Sequence, residues 1–318
     1  RAEPSRTGPA DANTGFPIWL EDSAGLRLEP CFTGENCSAT VPDPSRPPST
    51  PDNVGDHVVY WSAQASMPTR DGGRALLQLT KRGGFLPSDK PADGTQQVLN
   101  RIRIQVDSLV PGETYRVTHP YGVETFSEVN GGRRSIDFTE DVGCLRAPCG
   151  DFAASLNGRV DPWLTWDTLG AVAGEPPAGY IGDAATPHKV VGSLLSDADG
   201  DRQNYFKIEG PDVGGPGVDV IQTNLFVVEG KLAGLAAFAN PKGGLYKGDQ
   251  SVTLAASDPA AEIFYTTDGT EPTEKSTPYK GPLDITSPTT LKFVAIDKAG
   301  STDGRSRSPV VTQIYYLD

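Results

Sequence analysis

Three aspartates alternate in the segment SDADGDRQNY: Asp197, Asp199 and Asp201. Three carboxylates on one short loop offer the oxygen ligands that a hard cation such as calcium prefers. The spacing departs from an EF-hand. Counting from Asp197, glycine falls at the fourth position instead of the sixth, and Ile208 stands at the twelfth, where a bidentate glutamate belongs. A solvated Asp-Gly turn is the competing interpretation. A second acidic pair, Asp268 and Glu271 in IFYTTDGTEPT, reads as a turn: Asp268-Gly269 is a hairpin signal, because glycine tolerates positive φ, and Glu271 is a solvated loop residue.

Nucleophilic and acid-base chemistry has fewer footholds. The chain contains no G-x-S-x-G elbow, H-E-x-x-H pair, P-loop or Rossmann fingerprint. Its histidines are His57, His119 and His188. His119 in VTHPYG is the strongest of them, since the His-Pro-Tyr run sets its imidazole beside the phenol of Tyr121 at a rigid turn; a structural histidine at a strand end is the alternative. Trp163 and Trp166 in DPWLTWD could stack on pyranose rings, or fill a core. Three residues apart on a strand they face opposite sides, so at least one belongs to the core. His119, Tyr121, Trp163 and Trp166 form the candidate ligand-binding set, and no residue is assigned a catalytic role. The acidic neighbours Glu21-Asp22 and Glu140-Asp141 do not by themselves define the two-carboxylate pair of a glycosidase.

Four cysteines fall in two close pairs, Cys31/Cys37 and Cys144/Cys149, each flanking a turn-rich loop. Three connectivities are possible, and pairing within each cluster is the expected one. A zinc site would need both pairs to converge, and the spacings are not C-x2-C. Disulfides imply an oxidising, secreted setting. Net charge is −13, of which −2 falls on Ala236–Asp318 and −11 on the rest. So acidic a chain repels phosphate, which argues against a nucleic-acid partner. No run approaches the roughly 18 apolar residues of a membrane helix, so no transmembrane segment is expected. The start at Arg1 reads as a processed product.

The elements that must position these residues are strands. The 318 residues suggest two or three domains. Glycine and proline make up about a fifth of the chain, against roughly 12% on average, which favours many turns and an all-β fold. Residues 1–14 read as a flexible tail, and Thr40–Asp56, with five prolines, as a long surface loop. In NRIRIQVDSL, Ile102, Ile104 and Val106 share one face while Arg101, Arg103 and Gln105 share the other, the period of a half-buried strand. ALLQLTKRGGF is the nearest approach to a helix, and its double glycine would end it early. Residues 15–237 are read as a large β-sandwich region, of one or two sandwiches. The strand pattern restarts near 236–240, which places a smaller module over 238–318.

That module resembles a known family. IFYTTDGTEPT, PYKGPLDI and TTLKFVAIDKAG occur in order and resemble the C-terminal Ig-like domain named after chitobiases and β-hexosaminidases. The resemblance covers about 75 residues and implies a small Ig-like β-sandwich acting as a non-catalytic accessory module of a secreted protein. GFPIWLEDSAGLRLEPC, SLVPGETYRVTHPYGVETF, PAGYIGD and NYFKIEGP resemble secreted proteins of high-GC bacteria, which implies context but no chemistry.

The expected function is a monomeric, non-catalytic extracellular binding or adhesion protein, for polysaccharide or a cell-envelope component, with no cofactor unless Asp197, Asp199 and Asp201 hold calcium. A secreted hydrolase with its active site in the N-terminal region is one alternative. A protein-binding surface component or inhibitor is the other.

Overall fold

The computed structural model describes residues 6–11, 14–32, 36–37, 43, 45–46, 53, 58–87, 91–92, 94–146, 148–149, 151–168, 174–258, 260–297 and 306–318. Two compact units divide the chain, 1–232 and 233–318. Among the described residues strands dominate, and helical turns are confined to two short 3-10 segments, Arg70–Gly72 and Phe152–Asn157. The fold is all-β, as the composition and periodicity indicate.

In the first unit the larger sheet is centred on three long antiparallel strands, β1 (Val58–Pro68), β2 (Arg74–Phe85) and β3 (Gln96–Val106). Then come β4 (Tyr115–His119), β5 (Gly122–Phe126) and β6 (Ile136–Gly143). They are followed by β7 (Phe206–Glu209), β8 (Val220–Thr223) and β9 (Leu225–Leu232). The larger sheet runs β9-β1-β2-β3-β6, and Arg27–Glu29, Leu20–Glu21 and Arg6–Thr7 continue it beyond β9. The smaller sheet runs β8-β7-β4-β5.

Alternation decides which side chains go inward. On β3, Ile102, Ile104 and Val106 are buried while Arg101, Arg103 and Gln105 turn to the opposite face. On β2, Leu77, Leu79 and Lys81 point inward and Gln78, Thr80 and Arg82 outward. A register shift between Val59 and Trp61 inserts an extra residue into β1, so Val58 through Trp61 are all buried before alternation resumes. One core joins the two sheets: Trp61, Leu77 and Ile104 from the larger sheet with Tyr115, Val117, Phe206 and Ile208 from the smaller. This is a two-layer sandwich.

Two expectations are corrected. The stretch ALLQLTKRGGF is strand throughout, because Gly83 and Gly84 pair with Val98 and Gln97 in the β2–β3 ladder. Gly83 is needed there: a Cβ would sit 2.8 Å from the Phe16 ring. The described part of the tail is also structured. Arg6–Thr7 pairs with Leu20–Glu21, and Arg6 reaches the carboxylate of Glu21 at 2.6 Å. Glu21 is buried and takes Arg6 and Arg27 as its counter-charges, so burial of one carboxylate draws the N-terminal segment onto the sheet. Residues 1–5 and 12–13, most of Thr40–Asp56, and His57 lie outside the described residues.

The second unit has β10 (Ala237–Asn240), β11 (Gln250–Ala256), β12 (Glu262–Thr266), β13 (Leu283–Ile285), β14 (Thr289–Ile296) and β15 (Val311–Leu317). One sheet runs β10-β11-β13, and the other runs Gly244–Tyr246, β15, β14, β12, Thr277–Pro278. Val252, Leu254 and Ile285 of the first pack with Ile263, Leu291, Phe293 and Tyr315 of the second. The result is a small Ig-like sandwich.

Candidate functional site

The outward rows of β9, β1, β2 and β3 lie in register. Glu229, Ser62, Thr80 and Arg101 form one cross-strand row, and Val227, Gln64, Gln78 and Arg103 the next. Together with Arg82 and Ala184 these rows line a groove of about 380 Å³, within the size range of ligand pockets. Four strands at ~4.8 Å spacing give it a width of ~14 Å.

Beside the apolar Val59, Ala63, Leu79, Ala184 and Val227, the groove presents a set of hydrogen-bonding side chains. Gln78 Nε2 donates to Gln64 Oε1 at 3.0 Å, which leaves Gln64 Nε2 as a donor and Gln78 Oε1 as an acceptor for a ligand. Arg101 makes a two-point contact with Asp141 on β6, both bonds 2.6 Å, and the carboxylate holds the guanidinium pKa up. Thr80 Oγ1 and Arg103 Nε are closed off from solvent at the floor without a protein partner. Buried polar groups in that state are few in native proteins and call for a reason. Cys31 donates its backbone N–H to Val59 O at 2.7 Å, and its disulfide with Cys37 lies within 4.8 Å of the Glu229 carboxylate, so one cross-link braces this face. The second disulfide joins Cys144 and Cys149.

The sequence-derived ligand set is elsewhere, and the structure corrects it. Trp163 and Trp166 are 2% and 7% exposed. Trp163 stacks on Trp61 with centroids 6.5 Å apart, and Trp166 stacks on the His188 ring at 4.5 Å. Neither indole offers a face to a sugar, because the segment around Pro162 packs beneath the larger sheet. Tyr121 is buried, donates to Pro162 O at 2.8 Å, and sits edge-on to Trp61. His119 is fully buried: Nδ1 accepts from the Tyr121 N–H at 3.3 Å, and Nε2 lies 3.7 Å from Glu124. Burial pushes its pKa down, so the ring is neutral. His119 and Arg159 in turn hold Glu124 down to about 2, so that carboxylate stays ionised and is no general acid. His188 accepts from Gly174 N at 3.2 Å. Neither described histidine has both a hydroxyl or thiol nucleophile and a carboxylate among its contacts, so no triad forms among the described residues.

Asp197, Asp199 and Asp201 close a turn on themselves. Asp197 Oδ1 accepts from the N–H groups of Asp199 and Asp201 at 3.1 and 3.0 Å, and Oδ2 accepts from the Tyr205 hydroxyl at 3.3 Å. Among the described residues the one group of three metal-ligand types within reach of each other is Cys31, Cys37 and Glu229, and its sulfurs are already oxidised. The loop's own amides thus occupy Oδ1 of Asp197. Melting with and without EGTA is expected to give the same midpoint, and a fall in EGTA would show a bound cation.

In the second unit Asp268 Oδ1 accepts from both the amide and the hydroxyl of Thr270, at 3.0 and 2.6 Å, and Gly269 has φ 81°. Those bonds hold the Asp268 pKa down. β12 pairs next with Thr277–Pro278, so the turn opens a ten-residue loop and is not a two-residue hairpin. Thr266 Oγ1 donates to Thr270 O, Lys292 reaches Glu271 at 2.7 Å, and Arg307 donates to Pro272 O at 2.9 Å. Residues 241–308 match the chitobiase/beta-hexosaminidase C-terminal domain family. The three sequence blocks that carry the likeness are the β12 turn, the lead into β13, and β14. In the chitobiase-type module Asp268 and Glu271 thus shape a loop. No curated protein and no solved structure matches the chain.

Period-two reading places Arg101 and Arg103 on one outward face, but sequence reasoning missed the groove. The signal was the run of Arg, Gln and Thr at outward positions of consecutive strands, which becomes a site only once the register is known.

Proposed function

We propose that the chain is a non-catalytic extracellular polysaccharide-binding protein, with the groove on the larger sheet as its site and the chitobiase-type module as an accessory. The observation that carries this is the lining: amides and guanidinium groups with a single carboxylate, Glu229. Planar donors and acceptors suit sugar hydroxyls. Hydrolysis of a glycosidic bond needs two carboxylates across the bond, and the groove supplies one. Both disulfides support an oxidising compartment, and among the described residues no helix is long and apolar enough to cross a membrane. The module's family adds a carbohydrate context.

Pull-down on chitin, cellulose, peptidoglycan and pectin tests the reading. Retention on at least one, weakened about fivefold in Gln78→Leu by loss of one hydrogen-bonding group, is expected, without release of reducing ends. Failure on all four would overturn it, and release of reducing ends would restore the hydrolase alternative.

A further inference from the structure

We infer that the groove takes a carboxylate-bearing polysaccharide, a uronan, with Arg103 as the residue that grips the carboxylate; this deepens the saccharide-binding reading and rests on it. Three arginines line the groove against one glutamate, in a part of the chain whose net charge is −11. A cationic site on an acidic protein selects an anion locally, because the remaining surface repels a polyanion.

The other charges in the groove are satisfied within the protein. Arg101 is held by Asp141, and Arg82 and Glu229 have partners of their own. The Arg103 side chain makes no hydrogen bond or ion pair among the described residues. Its cross-strand neighbours are Gln78 on β2 and Thr139 on β6, both uncharged. Its Nε is closed off from solvent and so from a ligand, which leaves the terminal Nη groups as the ones that can meet a carboxylate in the groove.

A guanidinium matches a carboxylate by two parallel N–H···O bonds, the geometry a uronic acid offers. The Gln64–Gln78 pair meets ring hydroxyls in the same row. No aromatic residue lines the groove, so recognition rests on charge and hydrogen bonds instead of stacking. A neutral polymer lying on Arg103 would strip its remaining water and return no counter-charge, a costly arrangement.

The test is titration calorimetry of the full chain with polygalacturonate and alginate, and with fully methyl-esterified galacturonan, which keeps the backbone and removes the charge. Binding of at least one uronan, at least tenfold tighter than the ester and weakening as salt rises, is expected. Arg103→Gln should lose about tenfold or more, and Arg103→Lys, which keeps the charge without the fork, should lose less. Unchanged melting of both variants separates lost binding from lost fold. Equal binding of acid and ester, or an unaffected Arg103→Gln, overturns the inference. Binding of the ester, chitin or cellulose without either uronan overturns it while leaving the saccharide-binding reading intact; binding of no polymer overturns both.

Discussion

Raising the pH from 7 to 9 is expected to stabilise the N-terminal unit by about 2 kcal/mol, and Lys81→Met to remove that gain. Lys81 stands on the inward face of β2 and is 1% exposed. Its Nζ donates to Ser155 O at 2.8 Å. Burial drives its pKa from 10.5 down to about 7, although Asp161 and Asp22 pull it back up. The folded state therefore releases the proton near pH 7, whereas the unfolded chain keeps it until about 10.5. Between those values the unfolded state binds more protons, so stability rises with pH, by up to ~1.4 kcal/mol per unit, and levels off above the unfolded value. His119 has the same sign, but its lowered pKa acts below 6.5, outside this window. For a unit of this size about 2 kcal/mol corresponds to roughly 4–8 °C in melting midpoint. Melts of the wild type and Lys81→Met at pH 7, 8 and 9 check it. Parallel slopes for the two proteins would show that Lys81 is not the titrating group.

Lys81 also shows what the sequence hides. In LTKRGG it looks like any surface lysine. Only the alternation running from Leu77 through Leu79 turns it inward, and only the β2–β3 register sets it opposite Asn100, itself buried. The strand faces of NRIRIQV, the local cysteine pairs and the chitobiase-type module were legible because each depends on neighbours within a few residues. The groove was not, because it needs the exact register of Thr80 against Arg101 and because Glu229 meets Ser62 only across strands that are far apart in the chain. The tryptophans illustrate the same limit. Only Trp166 lies on a strand, so alternation does not govern the pair; Trp163 is buried in the segment before it, and Trp166 is covered by the His188 ring. The aspartates of SDADGD were legible as a turn, and the backbone N–H groups of Asp199 and Asp201 do point at Asp197.

Asp22→Ala is expected to cost about 3–5 kcal/mol, the second large effect. The carboxylate is 1% exposed and ties together segments 141 residues apart: Oδ1 accepts from Ala24 N and Leu26 N, and Oδ2 from Trp163 N, each at 2.9 Å. Truncation leaves the Trp163 N–H buried and unpaired, opens the turn between Leu20–Glu21 and Arg27–Glu29, and removes one of the two carboxylates that favour the Lys81 charge. Asp22→Asn keeps the acceptor for the turn but presents its amide nitrogen as a donor to Trp163 N, or the reverse if flipped, so about half the loss should remain. Burial already pushes the Asp22 pKa up against those three N–H bonds, which shows how strongly the site resists charge. The same opposition predicts coupling: with Asp22 neutralised, a protonated Lys81 has only Asp161 nearby, so its pKa falls further and Lys81→Met costs less. Urea denaturation of Lys81→Met, Asp22→Asn and the double variant at pH 6, where a Lys81 with a pKa of about 7 is mostly protonated, should show losses less than additive by about 1 kcal/mol, as for residues sharing one network. Strict additivity would mean that the two charges do not sense each other and that Asp22 acts through its backbone bonds alone.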